Sequence, residues 1–186
     1  MQIESSAVNA SLSVGSQSVD VDAAEAGPAV PKQVISFAIG DEQYGVDIMA
    51  VREIKGWSEI TPLPSQPEYV RGVLNLRGVI VPIIDLRCRF GQGSTEATPL
   101  HIAIIVQIGA KPVGLLADRV LDIVSFEPSQ VQPVPRIAVD SRVNFLAGLI
   151  TIEGDMIAVI DLPNLLSGQI GTEDLALPEM KSAAAG

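Results

Sequence analysis

The sequence is short of the residue types on which most catalytic and ligand chemistry depends. Cys88 is its one cysteine, so neither an intrachain disulfide nor a cysteine metal cluster can form. His101 is its one histidine and opens an apolar run, apart from Cys88, so no Cys-His nucleophile pair is offered. Aromatic residues make up 4%, too few for a sugar-stacking platform, and this leaves the core to Val, Ile and Leu, whose β-branched members fit a pleated surface better than a helix. Basic residues number 12 against 22 acids, a net charge of −10, which argues against binding a phosphate backbone. No run approaches the ~18 apolar residues that span a bilayer. Before Lys32 there is no basic residue and no continuous apolar stretch, so the start does not read as a secretory signal and the expectation is a cytoplasmic protein.

What is present is a β-rich chain that repeats itself. With 186 residues, 47% of them hydrophobic, it is long enough for one ordinary domain or two small ones sharing a core. Residues 1–32, rich in Ser, Ala, Gly and Val and ending in "GPAVPK", read as a disordered tail, and 169–186 as a C-terminal tail. Between them, Gly40, Gly45, Val51, Glu53 and Ile54 find Gly109, Gly114, Val120, Asp122 and Ile123 at a spacing of 69. Gly72, Gly78, Ile84, Asp85 and Leu86 likewise find Gly148, Gly154, Ile160, Asp161 and Leu162 at a spacing of 76. The difference of seven places an insertion in the second copy, between Ile123 and Gly148. Short apolar runs punctuated by glycine, such as "VISFAIG", "VIVPIIDL" and "HIAIIVQIG", predict strands. Each copy then reads as strand, turn, strand, proline-rich loop, strand, tight turn, strand and a helical turn. Asp85 and Asp161 stand where strands end and are expected to cap short helices closed by Gly91 or Gly168. Pro82 interrupts "VIVPII", which predicts a sheet edge or a bulge there, open to another chain.

Chemistry is thin. "GQGSTE", 91–96, lacks the third glycine of a dinucleotide fingerprint and reads as the linker between copies. The carboxylates Asp47, Glu53 and Asp85 leave open a small-molecule-binding or hydrolytic β-barrel protein. The tetrapeptide "NLRG" predicts a hairpin turn with Gly78 at positive φ, and "TIEG" repeats it with Glu153 in place of Arg77. An Arg77–Glu53 fork can tie the first long loop to this hairpin, either as a surface ion pair or as part of a binding site.

Together, "FAIGDEQYGVDIMAVREI", "YVRGVLNLRGVIVPIIDLRCRFG" and "VGLLADRVLDIV" resemble the CheW family of bacterial chemotaxis coupling proteins, over about residues 33–168. The resemblance implies an all-β fold of two five-stranded Src-homology-3-like β-barrel modules, about 33–95 and 100–168, with strand exchange between them. It implies a non-enzymatic adaptor without a cofactor, which bridges the cytoplasmic tips of methyl-accepting chemoreceptors to the regulatory domain of the histidine kinase CheA. It places receptor binding at Ile48, Val51, Glu53, Ile54 and Arg77, along a groove between modules. Since Val120 and Ile123 repeat Val51 and Ile54, the alternative is that these two are core. The duplication, taken with a kinase domain of the same fold, implies pairing of module one with module two in CheW–CheA rings, and the inserted loop "VQPVPRIAVD" becomes the expected kinase contact through Gln132, Arg136 and Ile137. At Arg136–Ile137 the chain departs from the acid and aromatic many members carry.

Overall fold

The structure, a computed structural model, describes residues 30–135 and 144–166. Most of both expected tails, together with Gly168, lies outside the described residues.

Ten strands follow in chain order: β1 Lys32–Ile39, β2 Glu42–Asp47, β3 Val51–Gly56, β4 Val70–Leu76, β5 Val79–Asp85, β6 Ile102–Ile108, β7 Lys111–Ala117, β8 Arg119–Phe126, β9 Leu146–Ile152 and β10 Asp155–Ile160. Short helices α1, Leu86–Arg89, and α2, Leu162–Leu166, follow β5 and β10. Each copy therefore has five strands, one more than the apolar runs predict. The additional ones are β3 and β8, edge strands whose sequences, VREIKG and RVLDIVSF, mix charge with aliphatics because much of their surface is exposed. Glu53 accordingly sits within β3 and not at the end of a loop.

The strands form two five-stranded sheets in the orders β3-β6-β7-β5-β4, here sheet one, and β8-β1-β2-β10-β9, sheet two. Advancing each strand of the first copy by five, and returning each of the second by five, turns one order into the other. Neither sheet is a contiguous piece of chain: β1 and β2 complete sheet two, while β6 and β7 complete sheet one.

Positions buried on both faces must be apolar or hydrogen-bonded, which is why β1, β6 and β7 read as apolar runs, with buried Ser36 of β1 held to the Asp122 backbone. One side of these strands feeds a shared central core, with Phe37, Ile39 and Val46 from sheet two meeting Ile84, Ile104 and Leu115 from sheet one. The other side fills a smaller core inside each sheet's curl, around Ile83, Ile105 and Leu116 in one and Val34, Ile150 and Ile157 in the other.

The sheets are not closed barrels. In sheet one the chain beyond β3 reaches β4 through one backbone bridge, Thr61 to Val73, with N···O distances of 2.9 and 2.8 Å. In sheet two Gln132 bridges Leu149 in the same way, 2.8 Å in both directions. A glycine makes each crossing possible: a Cβ on Gly72 would meet the Thr61 carbonyl carbon at 2.8 Å, and one on Gly148 the Gln132 oxygen at 2.9 Å.

Pro82 corrects an expectation. Its strand β5 lies inside sheet one, between β7 and β4, so it is not an edge. Pro82 faces Val73, whose N–H and C=O both turn away to Thr61, so β4 asks no hydrogen bond of the proline. The register shift in this ladder lies in β4, between Val70 and Gly72, and parallel pairing with β7 begins only at Ile83.

Candidate functional site

The β4–β5 hairpin turns on Arg77 and Gly78, both at positive φ, 52° and 89°, the pair a two-residue type I′ turn requires. Asn75 Oδ1 accepts from the Gly78 N–H at 2.8 Å and fixes the turn. Arg77 thereby extends across the mouth of the curled sheet, where its Nη2 donates to Glu53 Oε2 at 3.0 Å. Because β3 and β4 are the two edges of sheet one, this pair spans the sheet's opening. With 86% of the Arg77 side chain exposed, the pair adds little to stability; it fixes the direction of a guanidinium whose other N–H groups remain turned to solvent.

The other expected receptor residues divide. Asp47 Oδ1 accepts from Met49 N at 2.8 Å and starts a 3-10 turn, Ile48–Ala50, that carries the chain from sheet two to sheet one. Ile48 and Val51, half-buried, pack against the central core, as does Val120. Ile54 is 44% exposed and its counterpart Ile123 53% exposed. The core alternative thus describes the packing of Val51 and Val120 but not that of Ile54 and Ile123.

Where the two sheets meet, the seam differs on its two sides. On one side Asp118, in the link from β7 to β8, accepts from Gly40 N at 2.7 Å and from Arg87 Nη2 at 2.8 Å, and lies 3.5 Å from His101 Nε2. The Thr98 N–H donates to His101 Nδ1, so the ring proton sits on Nε2, facing Asp118. Arg89 stacks between the rings of Tyr69 and Phe145, 4.4 and 4.3 Å from their centroids, and donates to the Leu165 carbonyl of α2 at 3.0 and 2.8 Å. The sequence reading missed this fastening, although the arginines of "LRCRFG" were a visible signal. On the other side the corresponding positions hold Pro163 for Arg87 and Gly109 for Gly40, and the seam is an open groove of about 370 Å³ lined by Asp47, Ala50, Ile108, Ile160, Leu162 and Pro163.

The carboxylates considered for catalysis are each bound in a separate place. Asp47 caps the 3-10 turn and Glu53 pairs with Arg77. Asp85 is fully buried: it accepts from Thr95 N and Oγ1 at 2.7 and 2.8 Å and from Cys88 N at 3.2 Å, and lies 3.9 Å from Arg71 Nη1. The capping expectation holds for Asp85, and for Asp161, which accepts from Asn164 N at 3.1 Å. Thr95 had read as linker. Gln132 contributes its backbone to the bridge that closes sheet two and is itself exposed, while Arg136 and Ile137 lie outside the described residues.

Two curled sheets of identical strand order, interlocked by exchanged strands, define a duplicated two-module β protein whose exposed chemistry lies at the mouths and the seam. Comparison with known proteins gives the family. The model of the CheW-like domain matches residues 33–169, and the chain belongs to that family. It is 42% identical over 138 residues to the chemotaxis protein CheW of Rhizobium meliloti, covering 74% of this chain and 89% of that protein. It is 38% identical over 152 residues to CheW of Klebsiella aerogenes, covering 82% and 89%. Among solved structures it resembles the scaffolding protein TtCheW of Thermoanaerobacter tengcongensis, with a TM-score of 0.69 and 32% identity over 77% of this chain and 93% of that one.

Proposed function

We propose that this chain is a non-catalytic cytoplasmic adaptor coupling the tips of methyl-accepting chemoreceptors to the histidine kinase CheA at receptor arrays. The observation that carries the reading is the Arg77–Glu53 pair across the mouth of sheet one, beside exposed Ile54, in a chain of the CheW-like family. A fixed guanidinium next to an exposed aliphatic suits a helical partner that offers a carboxylate beside an apolar stripe. The open seam groove, reached through the turn that carries Ile48, continues that surface. Val51 supports it from the core side. The kinase contact falls on the second module's inserted loop, at Gln132, Arg136 and Ile137, so receptor and kinase occupy different parts of the molecule and rings of adaptor and kinase can form. No cofactor enters this reading.

Calorimetric titration against a receptor-tip fragment and, separately, the CheA regulatory domain tests it. Arg77→Glu combined with Ile54→Asp should abolish binding of the receptor fragment with an unchanged melting temperature, while kinase binding persists. If the unmodified chain binds neither fragment at tens of micromolar, the adaptor reading fails.

A further inference from the structure

Each sheet has two edge strands, and β4 and β9 are already crossed by the backbone bridges from Thr61 and Gln132. β3 and β8 pair on one side only, with β6 and β1, and their outer edges meet no backbone partner among the described residues. Such an edge is a template for one more strand. The two free edges differ in charge. β8 runs beside a cleft walled by Asp122, Glu153 and Asp155, and Asp122 Oδ1 already accepts from its Ile123 N–H at 2.7 Å. β3 carries Arg52 and Lys55, neither of which forms an ion pair among the described residues, and Arg77 stands across the mouth. The register against β6 sorts these side chains. Glu53 and Lys55 lie opposite Ile105 and Ala103, on the inward face of the curl that Arg77 joins, while Ile54 lies opposite Ile104 on the outer face, where it is exposed.

A strand that suits the β3 edge alternates acids on one face with aliphatics on the other. Residues 18–23, "SVDVDA", have that pattern: Asp20 and Asp22 fall on one face and Val19, Val21 and Ala23 on the other. They belong to a segment, 1–29, that holds Glu4, Asp20, Asp22 and Glu25 and no base. The segment enters the fold at β1, whose Val34 lies opposite Asp47, next to the 3-10 turn that leads directly into β3. Residues 24–31, between Ala23 and the first residue of β1, extend to ~30 Å, enough to span that turn and β3 together. The other segments outside the described residues fit less well. Residues 136–143 hold Arg136 and Arg142 against Asp140, and in 167–186 Glu173, Asp174 and Glu179 flank Pro178, which cannot donate to a ladder.

We propose that residues 18–23 add as a sixth strand to the free edge of β3 in the same chain. Their backbone pairs with the outer side of β3, Asp20 and Asp22 face Lys55 and Arg77 at the mouth, and Val19 and Val21 cover Ile54. The acids direct the segment to this edge and away from β8, where Asp122, Glu153 and Asp155 would repel it. The docked strand covers the surface given above to the receptor, so it competes with that partner; this consequence rests on the receptor reading, and the docking itself does not.

Residue-resolved amide hydrogen exchange of the full chain tests the docking, with two variants whose changes lie outside the described strands. Asp20→Lys with Asp22→Lys reverses the charge, and Ser18→Pro with Val21→Pro keeps every acid while removing one N–H from each side of the added strand. In the wild type the outer-edge amides of β3 and those of 18–23 should exchange at least ~10-fold more slowly than in either variant, at every chain concentration. β3 amides that exchange alike in all three chains would overturn the proposal, and so would protection that survives the prolines, which would mean attraction without a strand, or protection that grows with chain concentration, which would place the segment on a second copy. For the competition, the proline variant, unchanged in charge, should bind a receptor-tip fragment ~3-fold or more tightly than the wild type. Equal binding alongside lost β3 protection would overturn the receptor surface and leave the docking standing.

Discussion

Sheet one and sheet two share a strand order and differ in nearly every polar side chain that leaves it. The turn is kept while its residue changes from Arg77 to Glu153; the helix cap is kept while its surroundings change from buried Thr95 and nearby Arg71 to Asn164 and Ala147. One side of the seam is fastened by Arg87, Asp118 and His101, and the other is left as a groove at Pro163 and Gly109. Backbone geometry constrains the shared positions, because a tight turn or a close crossing admits few residue types. The remaining positions are free to diverge, and it is there that two copies of one scaffold acquire different surfaces.

The largest expected break in this equivalence is at the crossing glycines. Gly72 sits at φ 141°, and an added Cβ would run into the backbone of Thr61 and Pro62. Gly148 has no such φ, and its added Cβ would meet the Val131 side chain before the Gln132 carbonyl. Gly72→Ala should therefore cost ~3 kcal/mol or more, and Gly148→Ala ~1–2 kcal/mol, because strain and collisions with the backbone of two residues add in the first, whereas the second meets a side chain that can yield and one carbonyl oxygen at 2.9 Å. Denaturant titration of both variants measures this. Equal losses would mean that the two crossings are mechanically alike.

The capping aspartates come next. Asp85→Ala removes the acceptor of three donors, two of them on buried Thr95, and should cost ~3 kcal/mol. Asp161→Ala removes a partly exposed cap whose donors can turn to water, and should cost ~1 kcal/mol. Thermal melts compare them directly. Thr95→Val, which deletes one of the three donors without changing the strand order, should fall between the two.

These cases also mark what was legible in the sequence. Gly45, Gly72, Gly78 and their counterparts stand at fixed spacings because backbone geometry fixes them, so the duplication, the hairpins and the caps could be read directly. The Arg77–Glu53 pair was legible because the turn and the acid were both visible and the second copy showed that the arginine was not needed by the turn. β3 and β8 were not, since an edge strand half in water has no unbroken apolar run. Pro82 misled because its lost N–H matters only when the opposite residue needs it, and whether Val73 did depended on Thr61, twelve residues earlier and joined only by folding. The arginines of "LRCRFG" were visible, but their partner Asp118, 31 residues beyond Arg87, was not, and Thr95, ten residues beyond Asp85, meets it only once the intervening chain folds back.

The smallest expected effect compares Cys88 with Asn164, which hold the same place in α1 and α2. Both backbone N–H groups are capped by the preceding aspartate. Asn164 also donates Nδ2 to Asp161 at 2.7 Å, where Cys88 has a thiol. The Cys88 thiol is pushed above its ordinary pKa, chiefly by burial, then by the nearby Asp85 and Glu68 carboxylates, with Arg71 opposing. A raised thiol pKa means that the folded chain holds this proton when the unfolded chain has released it. Stability is therefore unaffected below the unfolded thiol value of ~8.5 and falls as pH rises from there toward the folded value. Denaturation midpoints between neutral pH and about pH 10 should decline more steeply for the wild type than for Cys88→Ser, which leaves every other titrating group in place. Alkylation of the native thiol should likewise reach half its maximal rate at a higher pH than in the urea-unfolded chain. Coincident alkylation profiles would show that the pocket around Cys88 exerts no such pressure, and that the two helical turns differ only in shape.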